Sequence, residues 1–386
     1  MNQQAAAPIA DITLQDLLRA CVAADASDLH LAPGEPPWMR GHGQLERVPG
    51  SATLTPDHTR RLAQCLDDDV STRLQLHGAV DGSVTANGNV RFRFNIFQRR
   101  GGVAIALRRL EDRFRTLADL GLPDSLYDLC DQPDGLVAFA GPTGAGKSTT
   151  LATLIDRINQ QRAAHIVTIE DPIEYVHTPA RCLVNQRQVG TDADSFHSAL
   201  VAALRQDPDV LLVGEIRDVG TIRTAIQAAE TGHLVFTTVH AADCVSAVER
   251  LVSVFEAGEQ DSIRRQLALV LRAIVTQHLV VADGTGVHVP AGQRRPRVAV
   301  SEILRVTPAV ANLIATSRSA QIASAMETGG ATGMQTLDQD LARLWHSGRI
   351  SEATAVGLSR NPTTLRDRAT RLRSATTLVR PRGGGR

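Results

Sequence analysis

The chain has 386 residues, 43% hydrophobic and 21% charged, too long for one ordinary core and too apolar to be mostly disordered. Basic and acidic residues balance at 41 each and aromatics are only 3%, so neither a global basic field nor an aromatic stacking platform for nucleic acid is present. No apolar run approaches the ~18 residues of a membrane span, the N-terminus lacks a signal-peptide pattern, and Cys21, Cys65, Cys130, Cys182 and Cys244 show no CxxC spacing. A cytoplasmic chain without a disulfide framework or zinc site is therefore expected.

In chain order, the first expected domain covers residues 1–111. It alternates short β-type runs (Asp28 to Leu31, Trp38 to Gly41, Val90 to Phe97, Val103 to Leu107) with helical stretches at Leu14 to Ala24 and Pro56 to Leu66. The charged, polar residues 112–120 read as a linker, and 121–364 as a second domain. There, Gly135 to Ala140 is an apolar strand run that leads into Gly141-Pro142-Thr143-Gly144-Ala145-Gly146-Lys147-Ser148-Thr149 and then an amphipathic helix.

That sequence fits GxxxxGK[ST] in the context the motif needs, strand before and helix after. The glycines let N–H groups converge on phosphate oxygens, and the helix start adds partial positive charge. Lys147 would reach the β- and γ-phosphates of ATP, and the Ser148 hydroxyl would ligate Mg2+. Composition singles out the same residue. Lys147 is the one lysine in the chain, and the other 40 basic residues are arginine. A lysine that survives such a bias is expected where a compact ammonium fits and a planar guanidinium does not.

Downstream, Ile166 to Ile169, Val210 to Val213 and His233 to His240 read as strands, with helices at Ser195 to Leu204 and Thr221 to Thr231. This alternation predicts a parallel sheet covered on both faces, with ligands at the strand carboxyl ends. Glu215, after an apolar strand, fits a magnesium-holding acidic residue. Glu174 is a candidate to orient attacking water, and a turn cap is its plain structural alternative. His233 and His240 flank one strand at the nucleotide end, and at least one of them is read as a γ-phosphate sensor, with a satisfied polar residue as the plain alternative. Asp283 to Arg297 reads as a loop or hairpin tip, and Pro308 to Gly348 as a small helical bundle. Residues 365–386 carry seven Arg against one Asp and read as a largely disordered basic tail whose start can be helical. Such a tail suits acidic lipid, a membrane partner, or plain solubilisation.

At these residues the chain resembles the secretion-superfamily ATPases that drive type IV pili and type II and type IV secretion. GPTGAGKST resembles their Walker A, IEDPIEYVH their Asp box, LRQDPDVLLVGEIRD their Walker B segment and TGHLVFTTVH their His box. The stretches Ala26 to Arg40, Val90 to Phe97 and Gly333 to Asp338 resemble the pilus-retraction type, whereas Thr237 to Asp243 resembles the extension and secretion enzymes. The resemblance implies an α/β fold: a RecA-like P-loop ATPase domain, an N-terminal PAS-like α+β domain and a small C-terminal helical bundle. It also implies a homohexameric ring that hydrolyses ATP at subunit interfaces. An inner-membrane pilus or secretion platform protein would be its partner, with peripheral contact at the inner membrane and no nucleic acid. Lys147, Ser148, Glu174, Glu215, His233 and His240 match the family's functional positions. Arg93 and Arg108 match arginines that reach the phosphates from the N-terminal domain of the same or a neighbouring chain. Pilus retraction is the leading expectation. Extension or type II secretion, a nucleic-acid motor, and an ATP-binding regulator without hydrolysis are its rivals.

Overall fold

The computed structural model describes residues 12–41, 44–86, 90–100, 102–110, 113–288 and 295–379. Part of the expected linker, of the Asp283 to Arg297 tip and of the terminal tail therefore lies outside the described residues. The chain divides into two compact units, one reaching Arg113 and including Glu174–Val176, the other made of Phe114–Ile173 and everything from His177 onward.

The first unit is an antiparallel sheet of β1 (Ala26–Leu31), β2 (Trp38–Gly41), β3 (Gln44–Arg47), β4 (Ala79–Thr85), β5 (Arg91–Arg99) and β6 (Gly102–Arg109), ordered β3-β2-β1-β6-β5-β4. Alternation decides its faces. Phe92, Phe94 and Ile96 of β5 go inward with Ile105 and Leu107 of β6, so Arg91, Arg93 and Asn95 point the other way. Helices Leu14–Ala23, Pro56–Gln64 and Val70–His77 supply the rest of the core through Leu17, Leu18, Leu62 and Leu74. The first helix is closed at its start by a reciprocal cap between Thr13 and Asp16. β3, β4 and Val70–His77 are additions to the sequence reading. All four β3 residues are exposed, so no apolar alternation marks that strand. β4 contains Gly82, where a Cβ would stand 2.4 Å from the Phe94 ring. There the residue is dictated by a neighbour, not by strand propensity.

The second unit holds a seven-stranded sheet of β7 (Gly135–Ala140), β8 (His165–Glu170), β9 (Leu183–Gln188), β10 (Val210–Val213), β11 (Leu234–Val239), β12 (Leu271–Val281) and β13 (Arg297–Arg305). The order is β13-β12-β7-β11-β10-β8-β9, parallel throughout except for the antiparallel edge strand β13. The uniformly buried runs of β7, β10 and β11 reflect cover on both faces. One face packs helices Phe196–Ala203, Val219–Glu230, Cys244–Ser253 and Ala257–Val270; the other packs Lys147–Gln161. The β12–β13 pairing makes the Asp283 to Arg297 segment a hairpin connection, as expected for its described part.

The C-terminal helices end differently from the sequence reading. A helix spans Pro362–Val379, so the helical start allowed for the basic tail from Leu365 extends through most of it, and residues 380–386 lie outside the described residues. Leu365 and Ala369, one turn apart, are fully buried and pack with the helix Leu337–His346, so an apolar stripe outweighs the arginine count. Just before this helix, Arg360 forms a bidentate pair with Glu302 of β13 at 3.2 and 2.6 Å. Burial pushes the Glu302 carboxyl above the usual range and the guanidinium opposes that push. The Arg360 and Asn361 N–H groups both donate to Asp338, at 3.1 and 3.2 Å. Leu365→Ala should cost about 2–4 kcal/mol of local stability, the usual range for truncating a buried leucine. Limited proteolysis checks it: cutting near residues 359–361 should accelerate, and unchanged cleavage would contradict the packing.

Candidate functional site

The strand register builds the site. Ala140, the last residue of β7, pairs with Val239 of β11 on one side and with Thr276 of β12 on the other. The chain's next residues on the neighbouring strands, His240 and Gln277, therefore stand either side of Gly141, where the phosphate loop begins. β10 aligns Val213 with Thr237, which carries Gly214 and Glu215 to the same end of the sheet.

Gly141, Gly144 and Gly146 have φ of +137°, +76° and +91°, a region that L side chains rarely adopt. At Gly141 space is also absent: a Cβ there would lie 2.3 Å from the Gln277 carbonyl oxygen. Gly146 stands at the N-cap of the helix Lys147–Gln161, where it has no side chain to cap the helix. Lys147 is buried, and its Nζ donates to the carbonyls of Gly141 and Pro142 at 2.8 and 3.0 Å. Lys147 thus ties the helix start back to the first residues of the loop, and a glycine-rich loop leading into a helix N-terminus suits phosphate.

Glu215 follows β10 with its side chain 18% exposed. His240 Nε2 lies 3.0 Å from Glu215 Oε1, and Arg217 Nε lies 2.5 Å from the same oxygen. Arg217 Nη2 donates to Oε2 at 2.5 Å. The Glu215 carboxylate after β10 and the Ser148 hydroxyl at the helix start are hard oxygen donors of the kind Mg2+ takes, so the residues present suit a hydrated Mg2+.

His233 is not at this end. It precedes β11, its carbonyl accepts from Gly135 at the start of β7, and its ring Nδ1 lies 2.9 Å from the Ala228 carbonyl oxygen. A six-residue strand separates it from His240, ~20 Å at the usual rise. The expectation that both histidines flank the nucleotide end is therefore corrected for His233: residues before and after one strand sit at opposite edges of the sheet.

Glu174 is exposed and falls in the first unit, whereas the phosphate-type loop belongs to the second. The segment that follows is anchored by buried His177, stacked on Phe114 with ring centroids 4.7 Å apart. Burial lowers the His177 pKa to about 4, which keeps the ring neutral. Arg93 and Arg108 face each other directly across β5 and β6. Arg108 Nε donates to Asp28 Oδ1 at 2.8 Å, and Arg93 Nη2 lies 3.9 Å from Asp81. The sequence reading overlooked Asp28 as an arginine tether and Gln277 as a neighbour of the loop. Gln277 was legible only as the middle of a polar interruption, Thr276-Gln277-His278, in the apolar run of β12.

A nucleotide-type loop on a parallel sheet, with an acidic residue and a histidine meeting beside it, defines a P-loop NTPase-like unit. The family model described as type II/IV secretion system protein matches residues 2–349, and the chain belongs to that family. It is 41% identical over 349 residues to the type IV pilus retractation ATPase PilT of Pseudomonas aeruginosa, covering 89% of this chain and 97% of that one. A twitching motility protein of Neisseria gonorrhoeae is also 41% identical, covering 83% of each chain. Among solved structures, the pilus retraction motor PilT with bound ADP superposes with a TM-score of 0.83 at 40% identity, covering 92% of this chain and 100% of that one.

The two ends of the loop predict different sensitivities. Gly141→Ala, with both strain and overlap, should cost about 2–4 kcal/mol. Gly144→Ala has open space around it and should cost about 1–2 kcal/mol, the strain alone. Thermal unfolding without nucleotide measures both, and equal losses would mean that Gln277 does not crowd Gly141.

Proposed function

We propose that the chain hydrolyses ATP and converts the energy into type IV pilus retraction. The observation that carries the reading is the meeting of the Lys147 loop with Glu215 and His240 at one end of the sheet. In this reading the loop residues Gly141 to Thr149 hold the phosphates, and Lys147 leaves the loop carbonyls for the β- and γ-phosphates. Mg2+, held by Ser148 and Glu215, supplies neutralisation of phosphate charge. His240 reports through Glu215 whether the γ-phosphate is present. Glu174 orients the attacking water once the first unit closes, and Arg93 and Arg108 lend positive charge from the same or a neighbouring subunit. His233 has no place in this chemistry.

A ring that completes each site with groups from two subunits suits this reading, and the family resemblance makes it a homohexamer. It would work at the cytoplasmic face of the inner membrane against a pilus platform protein, with no nucleic acid engaged. No helix among the described residues is long and apolar enough to cross a membrane, which suits docking through a partner. Retraction is favoured over extension by the similarity to PilT along nearly the whole chain. Extension or type II secretion is the second reading, because Asp243 caps the helix after His240 in a segment that resembles those enzymes.

Glu174→Gln should bind nucleotide normally while hydrolysis falls by about 100-fold or more, the usual range for losing a general base. Loss of affinity with normal turnover would remove Glu174 from that role. In cells the same allele should leave pili that assemble but do not withdraw, hence more surface pili and no twitching. Absence of surface pili would point to extension, and blocked export with normal pili to secretion.

A further inference from the structure

β12 outruns β7 at the end where the phosphate loop starts, because Thr276 is the last residue paired, opposite Ala140. The three residues at this point break an apolar strand with polar side chains that alternate between the faces. Thr276 Oγ1 lies 3.3 Å from the Cys244 thiol, and His278 hydrogen-bonds the Ala242 backbone, both toward the segment after His240. Gln277, between them, faces the other way and is only 2% exposed.

Gln277 touches both ends of the loop. Its carbonyl oxygen occupies the space a Cβ at Gly141 would need, 2.3 Å away, and its side-chain Nε2 stands 3.5 Å from the Cβ position of Gly146. Its Oε1 is buried and has no hydrogen-bond partner among the described residues. A methionine would fill this slot without stranding an acceptor, so packing gives no reason for an amide here. A buried acceptor left open beside a loop of N–H donors has a use when the loop changes shape.

We propose that Gln277 is a positioning residue for the nucleotide phosphates: it fixes the spacing of the two ends of the phosphate loop, and its side-chain carbonyl accepts a loop N–H when the phosphates draw the loop into its bound shape. The inference rests on the reading that this loop binds ATP. The two fail separately: a parent chain that binds no ATP overturns both, whereas a parent that binds while the variants behave like it overturns only this one.

The test uses full-length chain, a fluorescent methylanthraniloyl-ATP titration and steady-state ATPase rates. Gln277→Met should keep the parent's unfolding temperature within a few degrees, raise the KM for ATP by about tenfold, the worth of one buried hydrogen bond, and leave kcat within about threefold. Gln277→Glu adds a readout that a side chain remote from the phosphates would not move. A carboxylate still accepts an N–H but adds negative charge beside the loop, so affinity relative to the parent at the same pH should be lowest at pH 8 and should return toward the parent's as acid protonates it. Should Gln277→Met fail to fold, the pH profile of Gln277→Glu still decides. Parent-like binding by Gln277→Met, or a Gln277→Glu profile flat relative to the parent, would overturn the proposal.

Discussion

The site depends on a missing atom. Between the end of β7 and the backbone of Gln277 there is no room for a Cβ, so the chain leaves the sheet at Gly141 with its peptide against the neighbouring strand. That close approach sets where the loop can go next. With Gly144 and Gly146 also at positive φ, the loop curls back over the strand end and hands the chain to the helix Lys147–Gln161. Lys147 then reaches across to carbonyls five and six residues earlier and closes the loop. Arginine has the charge for that role but not the shape, which explains why the chain's one lysine is found here.

From this point, contacts run outward on both sides of β7. On one side β11 leads into His240, which meets Glu215 after β10. Three residues later Asp243 caps the helix Cys244–Ser253 and lies 3.6 Å from Arg360, the residue that pairs with buried Glu302. On the other side β12 carries Gln277 to the loop and Thr276 to Cys244. The C-terminal helices are thus tied to the ends of the strands that surround the nucleotide loop, not only to each other. The Arg360–Glu302 pair adds little net stability for the desolvation it costs, but removing one partner strands a charge in the core. It defines the arrangement more than it strengthens it.

Much of this was legible in the sequence, and the exceptions share a cause. Strands such as Gly135–Ala140 and Val210–Val213 match their expected bounds because continuous apolar runs between turn signals have few other readings. Lys147, Ser148, Glu215 and His240 were visible as local pattern. What pattern could not supply was direction along a strand in space, so His233 was set beside His240 although a whole strand separates them. Gln44–Arg47 and Ala79–Thr85 escaped because one is exposed throughout and the other is shaped by Phe94 of the neighbouring strand. The extent of the helix Pro362–Val379 escaped because two buried side chains outweigh many exposed arginines. Gln277 and Asp28 matter through partners far away in the chain, which is information a single sequence holds only implicitly.

The central claim is that the loop closed by Lys147 is the seat of ATP phosphates. A high-resolution structure of the chain with Mg2+, ADP and beryllium fluoride tests it directly, because that mixture mimics the γ-phosphate. The account predicts the phosphates inside the loop, the Lys147 ammonium moved from the Gly141 and Pro142 carbonyls onto the β- and γ-positions, and Glu215 near the metal. Nucleotide bound elsewhere, or Lys147 still closed on those carbonyls with the phosphates in place, would contradict it.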